Sequence, residues 1–152
     1  MVAKQGYEDL SDADVARLGA QRKWVLDHDD DHRLAESVEG KLRLLSVILR
    51  ENWIAPEETV KLQSLGVVFG DALAQELSLS WRMVEDDFGR DPALVVEGTT
   101  IQIFPLTMIS KRIEDGERVD VADLFGMACG HIRALARDLK AKSAAAKLEH
   151  PQ

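Results

Sequence analysis

The chain has 152 residues and a formal net charge of −8 at pH 7, which fits one domain with its own hydrophobic core. The acidic balance argues against nucleic-acid binding and against anionic membrane surfaces, because phosphate groups are bound by clustered Lys and Arg. The chain has a single cysteine, its N-terminus lacks the apolar core of a signal peptide, and no apolar run is long enough to span a membrane. These features together predict a cytoplasmic protein.

Two helices are predicted at the start of the chain, as an N-terminal pair over residues 11–55. Ser11 or Asp12 can cap the first, since their side-chain oxygens accept the free amides of the first turn. Apolar residues then recur at helical spacing. The second helix is predicted from Leu34 to near Trp53 by the same periodicity.

A third helix is predicted to begin at Pro56, because proline and the two glutamates after it suit a first helical turn. From residue 62 to 77 this helix is apolar on most sides, which predicts that it is the central and most buried one.

The apolar period then changes to two, which predicts three short strands at Trp81–Glu85, Ala93–Glu97 and Thr100–Phe104. The composition of residues 87–92 favours a loop. Gly98-Thr99 fits a two-residue hairpin turn. Three sequential strands with tight links predict an antiparallel meander.

Two helices are predicted to complete the chain. A short one runs from Pro105 to about Asp115, and a longer one begins after the capping residue Asp120. The apolar face of the last helix ends at Leu139, so residues 141–152 are expected to fray. The predicted fold is α+β, a single domain over 1–152: helices packed against a small three-stranded antiparallel sheet, in the order α-α-α-β-β-β-α-α, with residues 56–140 as its core.

Four residues are candidates for ligand binding: Asp71, Trp81, Lys111 and Arg112. Asp71 follows a glycine in an apolar helix, and a buried carboxylate is costly unless it is paired. It is either half of a structural ion pair with Lys111, Arg112 or Arg82, or an acid that anchors a ligand. Lys111 and Arg112 are either a solvated basic face or an anion site at the Pro105 helix. Trp81 is either core or a stacking surface.

Glycine pairs four residues apart occur in two predicted helices, at Gly66 and Gly70 and at Gly126 and Gly130. A glycine in the middle of a helix lowers stability by about 1 kcal/mol relative to alanine, so the presence of each pair needs an explanation. We expect close packing against a neighbouring backbone or ring; the alternative is a groove that admits a ligand.

The histidines His28 and His32 would share a face of a continuous helix, as metal ligands do. The three aspartates at 29–31 favour a helix boundary instead, so no metal site is predicted. The sequence also contains no pattern that points to a cofactor.

Three stretches of the chain are distinctive: Leu65-Gly66 to Gly70-Asp71, Trp81 through Asp86 to Gly89-Arg90-Asp91, and Pro105-Leu106-Thr107-Met108-Ile109-Ser110-Lys111-Arg112. In this order they resemble a bacterial family of domains of unknown function, number 3806, and the resemblance covers about the second and third quarters of the chain. It implies a small bacterial cytosolic domain and implies no activity, so no functional residue is carried over from it.

No nucleophile, base and orienting group converge in the sequence. The preferred interpretation is therefore a non-catalytic binding or interaction module, with a protein partner or self-association. The alternative is a small-ligand or enzymatic pocket between the central helix, the sheet and the Pro105 helix. Whether Asp71 faces an open cavity or a closed ion pair distinguishes the two.

Overall fold

The computed structural model describes residues 6–149, which form an α+β fold. The strands are β1 Gly6–Glu8, β2 Ser80–Asp86, β3 Gly89–Val95 and β4 Gln102–Ile103. The helices are α1 Asp12–Leu26, α2 Val38–Arg50, α3 Thr59–Leu77, α4 Leu106–Glu114 and α5 Val121–Glu149. A short 3-10 helix, Arg33–Glu36, precedes α2.

The predicted antiparallel meander is confirmed, and the sheet has one strand more than predicted. Its order is β1-β2-β3-β4, with each neighbouring pair antiparallel. The added strand β1 pairs with the second half of β2, where Tyr7 lies opposite Val84. Three residues are too few to show a period of two, so the sequence pattern did not reveal this strand.

The loop predicted over residues 87–92 is wrong. Strand β3 begins at Gly89, and its pairing with β2 extends from Asp86 opposite Gly89 to Ser80 opposite Val95. Only Asp87 and Phe88 make the reversal, and Gly89 follows with a φ of +131° that favours glycine. The β3–β4 connection does turn at the predicted place, with Gly98 at a φ of +77°, but it spans residues 96–101.

Helix α3 is the central element, as predicted. Nearly every residue from Leu62 to Leu73 is buried on all sides of this helix, and α1, α2, α4 and α5 all pack against it. The core includes Phe69 of α3, with ring edge to face against Phe125 of α5 at a centroid distance of 6.0 Å.

The helix ends follow local capping chemistry. Ser11 accepts a hydrogen bond from the backbone N–H of Asp14, whose carboxylate accepts one from the Ser11 N–H, and Asp120 accepts one from the Asp123 N–H at the start of α5. Helix α2 begins only at Val38, after the cap Ser37, so Leu34 lies outside it in the 3-10 helix.

The last helix continues further than the sequence predicted. Helix α5 extends to Glu149, although its apolar face ends near Leu139 and residues 140–146 are exposed. Fraying of the tail stays a prediction, and its residues 150–152 lie outside the described part.

Candidate functional site

Asp71 and Trp81, two of the four candidates, contact each other. Asp71 projects from α3, and its Oδ1 accepts a hydrogen bond from Trp81 Nε1 at 3.0 Å. Gly70 makes this contact possible, because a Cβ at that position would lie 2.6 Å from the Trp81 ring. The indole of β2 therefore packs directly on the α3 backbone.

The ion-pair partner of Asp71 is Arg22 of α1, and the predicted partners Lys111, Arg112 and Arg82 are wrong. Arg22 donates from Nε to Oδ2 at 2.6 Å and from Nη2 to Oδ1 at 3.0 Å, a bidentate pair. The Asp71 side chain is 17% exposed and that of Arg22 is 34% exposed. Hydrogen bonding to Asp71 raises the pKa of Arg22 above its ordinary value.

These contacts decide between an open and a closed site. The two carboxylate oxygens of Asp71 accept three hydrogen bonds, and Asp71 lines neither of the two surface cavities described below. Asp71 thus joins α1, α3 and β2 as a paired structural group, which we call the Asp71 network: Arg22, Asp71 and Trp81.

Lys111 and Arg112 of α4 lie apart from this network. Arg112 Nη1 donates to the Met108 carbonyl of its own helix at 2.9 Å. Lys111 is exposed and lines a cavity of about 310 Å³ between α3, the β2–β3 hairpin and α4. The four candidates therefore do not form one site.

The cavity beside Lys111 lies between the central helix, the sheet and the Pro105 helix, but Lys111 is the one member of the four predicted site residues that lines it. Its charged lining residues are Asp86, Asp91 and Lys111, and the remaining ones are Gln63, Pro92, Phe104, Leu106 and Thr107. A larger cavity of about 690 Å³ lies between the end of α2 and the loop before α5, where Arg50, Glu117, Arg118 and Asp120 are among its lining residues.

Sequence reasoning missed a second ion pair, between Asp14 and Arg90. Arg90 donates from Nη1 and Nη2 to the two Asp14 oxygens at 2.8 and 2.7 Å, and from Nε to Glu8 at 3.2 Å. The Arg90 guanidinium and the Ser11 cap hold the pKa of buried Asp14 well below its usual range. The pair joins α1 to β3, and its members are 76 residues apart, so no local pattern indicates it.

The histidines lie at a helix boundary, as predicted. Helix α1 ends at Leu26, and His32 has a left-handed φ of 54°, so the two rings do not share a helix face. His28 stacks on Trp53 at a centroid distance of 5.4 Å, and its Nδ1 lies 2.9 Å from the Trp24 carbonyl. Within residues 6–149, no group of three or more His, Cys, Asp or Glu is placed to hold a metal ion.

The two glycine pairs have different environments. A Cβ at Gly66 would lie 2.5 Å from Leu106 Cα and 2.6 Å from the Pro105 carbonyl oxygen, so this pair packs closely as expected. Gly126 and Gly130 have no atom within 4 Å of a Cβ, so the expectation of close packing is wrong for them.

An aromatic side chain is fully exposed at the tip of the β2–β3 hairpin. Phe88 is 95% exposed, and its backbone N–H donates to Asp86 Oδ1 at 2.8 Å. Asp86 and Asp87 precede it, so the tip presents an apolar ring beside acidic groups. The sequence pattern placed Phe88 in a loop but did not indicate that it protrudes.

Comparison with known proteins gives a family and a fold. A family model described as "Domain of unknown function (DUF3806)" matches residues 41–125. A crystal structure from Bacteroides thetaiotaomicron VPI-5482 is similar, with a TM-score of 0.69 and 14% identity over 86% of this chain and 50% of that one. The chain thus spans half the length of that structure. No curated protein matches. In the described part, no helix has the length and hydropathy to cross a bilayer.

Proposed function

We propose that this chain, which belongs to the DUF3806 family, is a non-catalytic interaction module of a bacterial cytosolic protein. The observation that carries the proposal is the exposed hairpin tip: Phe88 is held out in solvent at 95% exposure by a two-residue turn. Aromatic rings are enriched at the centres of protein interfaces.

The chemistry of the tip indicates what kind of partner it recognises. Glu85, Asp86 and Asp87 are exposed and directly precede Phe88 in the chain, so the tip is negatively charged, while the nearby Arg90 is engaged by Asp14 and Glu8. An apolar pocket with Lys or Arg at its rim complements this arrangement. The partner is therefore a protein surface of that type, and binding weakens as salt is raised.

The test places a photo-reactive p-benzoylphenylalanine at position 88 in cells of the source organism. We expect a cross-linked product of one defined mass, since the ring would be buried in the partner. The matched control carries the same group at Thr100, which is exposed in the β3–β4 connection. The proposal would be refuted if no cross-linked product forms from position 88, or if positions 88 and 100 give the same products in equal amounts.

A folding control is available because Phe88 contributes little to the core. Phe88→Ala is expected to change the free energy of unfolding by less than about 0.5 kcal/mol, as for other exposed positions. With the photo-reactive group moved to the neighbouring exposed position Asp87, loss of the cross-linked partner in the Phe88→Ala background, with stability unchanged, separates recognition from folding.

A second candidate function, binding of a small ligand, is supported by the cavity of about 310 Å³. Its lining carries the carboxylates Asp86 and Asp91 and the Lys111 ammonium, so a small zwitterion fits its charges. Calorimetric titration with an amino-acid panel tests this candidate. Saturable binding that is lost in Lys111→Met supports it, and no heat from any member of the panel contradicts it.

A further inference from the structure

Helix α5 has an outer face that no other part of residues 6–149 covers. We define the α5 outer face as Asp123, Gly126, Met127, Gly130, Arg133 and Arg137, which recur at separations of one, three and four residues. All six are exposed, and Met127 is 66% exposed. The opposite face, with Val121, Leu124, Ala128 and Ile132, is buried against the core.

The glycines on this face are unexplained by the folded chain itself. Nothing lies within 4 Å of a Cβ at Gly126 or Gly130, so neither is needed for packing in one copy. Glycine in a helix is unfavourable relative to alanine. Because glycine has no side chain, Gly126 and Gly130 leave a recess beside the exposed Met127, and the flexible side chain of a methionine fits such a recess.

The charges of the outer face are segregated along the helix. Asp123, with the cap Asp120 before it, lies at the N-terminal end, and Arg133 and Arg137 lie at the other. None of the ion pairs among residues 6–149 uses Asp123, Arg133 or Arg137. A surface that is acidic at one end and basic at the other is complementary to its own reversed copy.

We propose that the α5 outer face binds the same face of a second copy of this chain in antiparallel orientation. A two-fold axis at the level of Ala128 places Gly126 of one copy opposite Gly130 of the other, and Asp123 opposite Arg133. Arg137 then lies near Asp120 of the second copy. The interface is isologous, as in most homodimers, and the helix dipoles are also opposed.

This interface is separate from the hairpin tip. Phe88 lies at the β2–β3 turn and forms no part of the α5 outer face. A monomeric protein would refute the dimer and leave the cross-linking test of Phe88 unaffected, so the two proposals fail independently.

The first test is sedimentation equilibrium of the full chain over protein concentrations from roughly 1 to 500 μM. One helix pair buries less area than a standard interface, so we expect a dimer with a Kd on the order of 10 μM. A species that stays monomeric throughout this range would overturn the proposal.

The second test uses Gly130→Leu, which fills the recess at a position where a Cβ has no neighbour within 4 Å in its own copy. We expect the Kd of the dimer to rise at least about tenfold while the helix content is kept, because overpacking keeps the helices apart. The matched control is Gly19→Leu on α1, where a Cβ also meets nothing within 4 Å. An unchanged Kd in Gly130→Leu would overturn the proposal.

Exchange of charges tests the antiparallel orientation. Asp123→Arg and Arg133→Asp each place like charges together, so each alone is expected to raise the Kd by roughly tenfold. The double variant restores opposite charges across the axis and should return the Kd to within about threefold of the original. A double variant that is no tighter than the single variants would overturn this orientation.

Discussion

The substitution Gly66→Ala tests how closely α3 and α4 pack. The new Cβ would lie 2.5 Å from Leu106 Cα and 2.6 Å from the Pro105 carbonyl oxygen, both backbone atoms that cannot rotate away. Ordinary contact between carbons needs about 3.5–4.0 Å, so the two helices must separate by roughly 1 Å.

The expected magnitude is the difference of two effects. Overpacking of a tight core costs about 1–3 kcal/mol, and rigid backbone obstacles place Gly66→Ala near the upper end of that range. Replacing a helical glycine by alanine gains about 1 kcal/mol. The net loss is therefore about 2 kcal/mol in the free energy of unfolding, or a Tm lower by roughly 6 °C.

Urea denaturation followed by circular dichroism measures this loss, at one low protein concentration so that self-association does not contribute. The control is Gly19→Ala on α1, where a Cβ meets nothing within 4 Å and the same substitution should stabilise by up to about 1 kcal/mol. If both variants shift the midpoint in the same direction, the close approach of α3 and α4 is refuted.

Two further predictions concern the ion pairs. Because the pKa of folded Asp14 is held below its usual range, its stabilising effect is present above its unfolded pKa of about 3.9 and is lost as pH falls below that value. The stability difference between the original chain and Asp14→Asn, measured by urea titration, should thus be constant above about pH 5 and shrink below pH 4; a difference independent of pH would contradict this. Trp81→Phe removes the indole donor to Asp71 and should lower the free energy of unfolding by about 1 kcal/mol. The control Trp53→Phe, at a residue that is 50% exposed, should lower it by less. Equal losses of stability in the two denaturation curves would argue against the hydrogen bond between Trp81 and Asp71.

The apolar periodicity of the sequence was sufficient to predict most of the helices and strands. It failed where a strand is defined by its pairing with another strand. Apolar residues on most sides of α3 identified it as central, and the period of two located β2 and the meander. Residues 89–92 lack that period and became part of β3 only through their register with β2. Strand β1 is likewise defined by its partner, since three residues carry no pattern of their own.

The candidate site shows the same limit at the level of single residues. The place of Asp71 in an apolar helix correctly indicated that it needs a partner. Arg22 is 49 positions away in the sequence, so sequence order gave no reason to choose it over Arg112. The glycine pairs show the same limit. Both pairs are spaced four residues apart, but Gly66 of α3 packs against the start of α4, whereas Gly126 and Gly130 of α5 have no neighbouring atoms.

The Asp71 network joins α1, α3 and β2, and we claim that its role is structural. The double-mutant cycle of Asp71→Ala and Arg22→Ala, read as free energies of unfolding, tests it most directly. Partial exposure weakens the pair relative to a fully buried one, so Asp71→Ala should cost about 2–3 kcal/mol, with a coupling energy to Arg22 of about 1–2 kcal/mol. An Asp71→Ala variant that is as stable as the original chain or more stable, with additive effects in the cycle, would contradict the claim and identify Asp71 as a site residue.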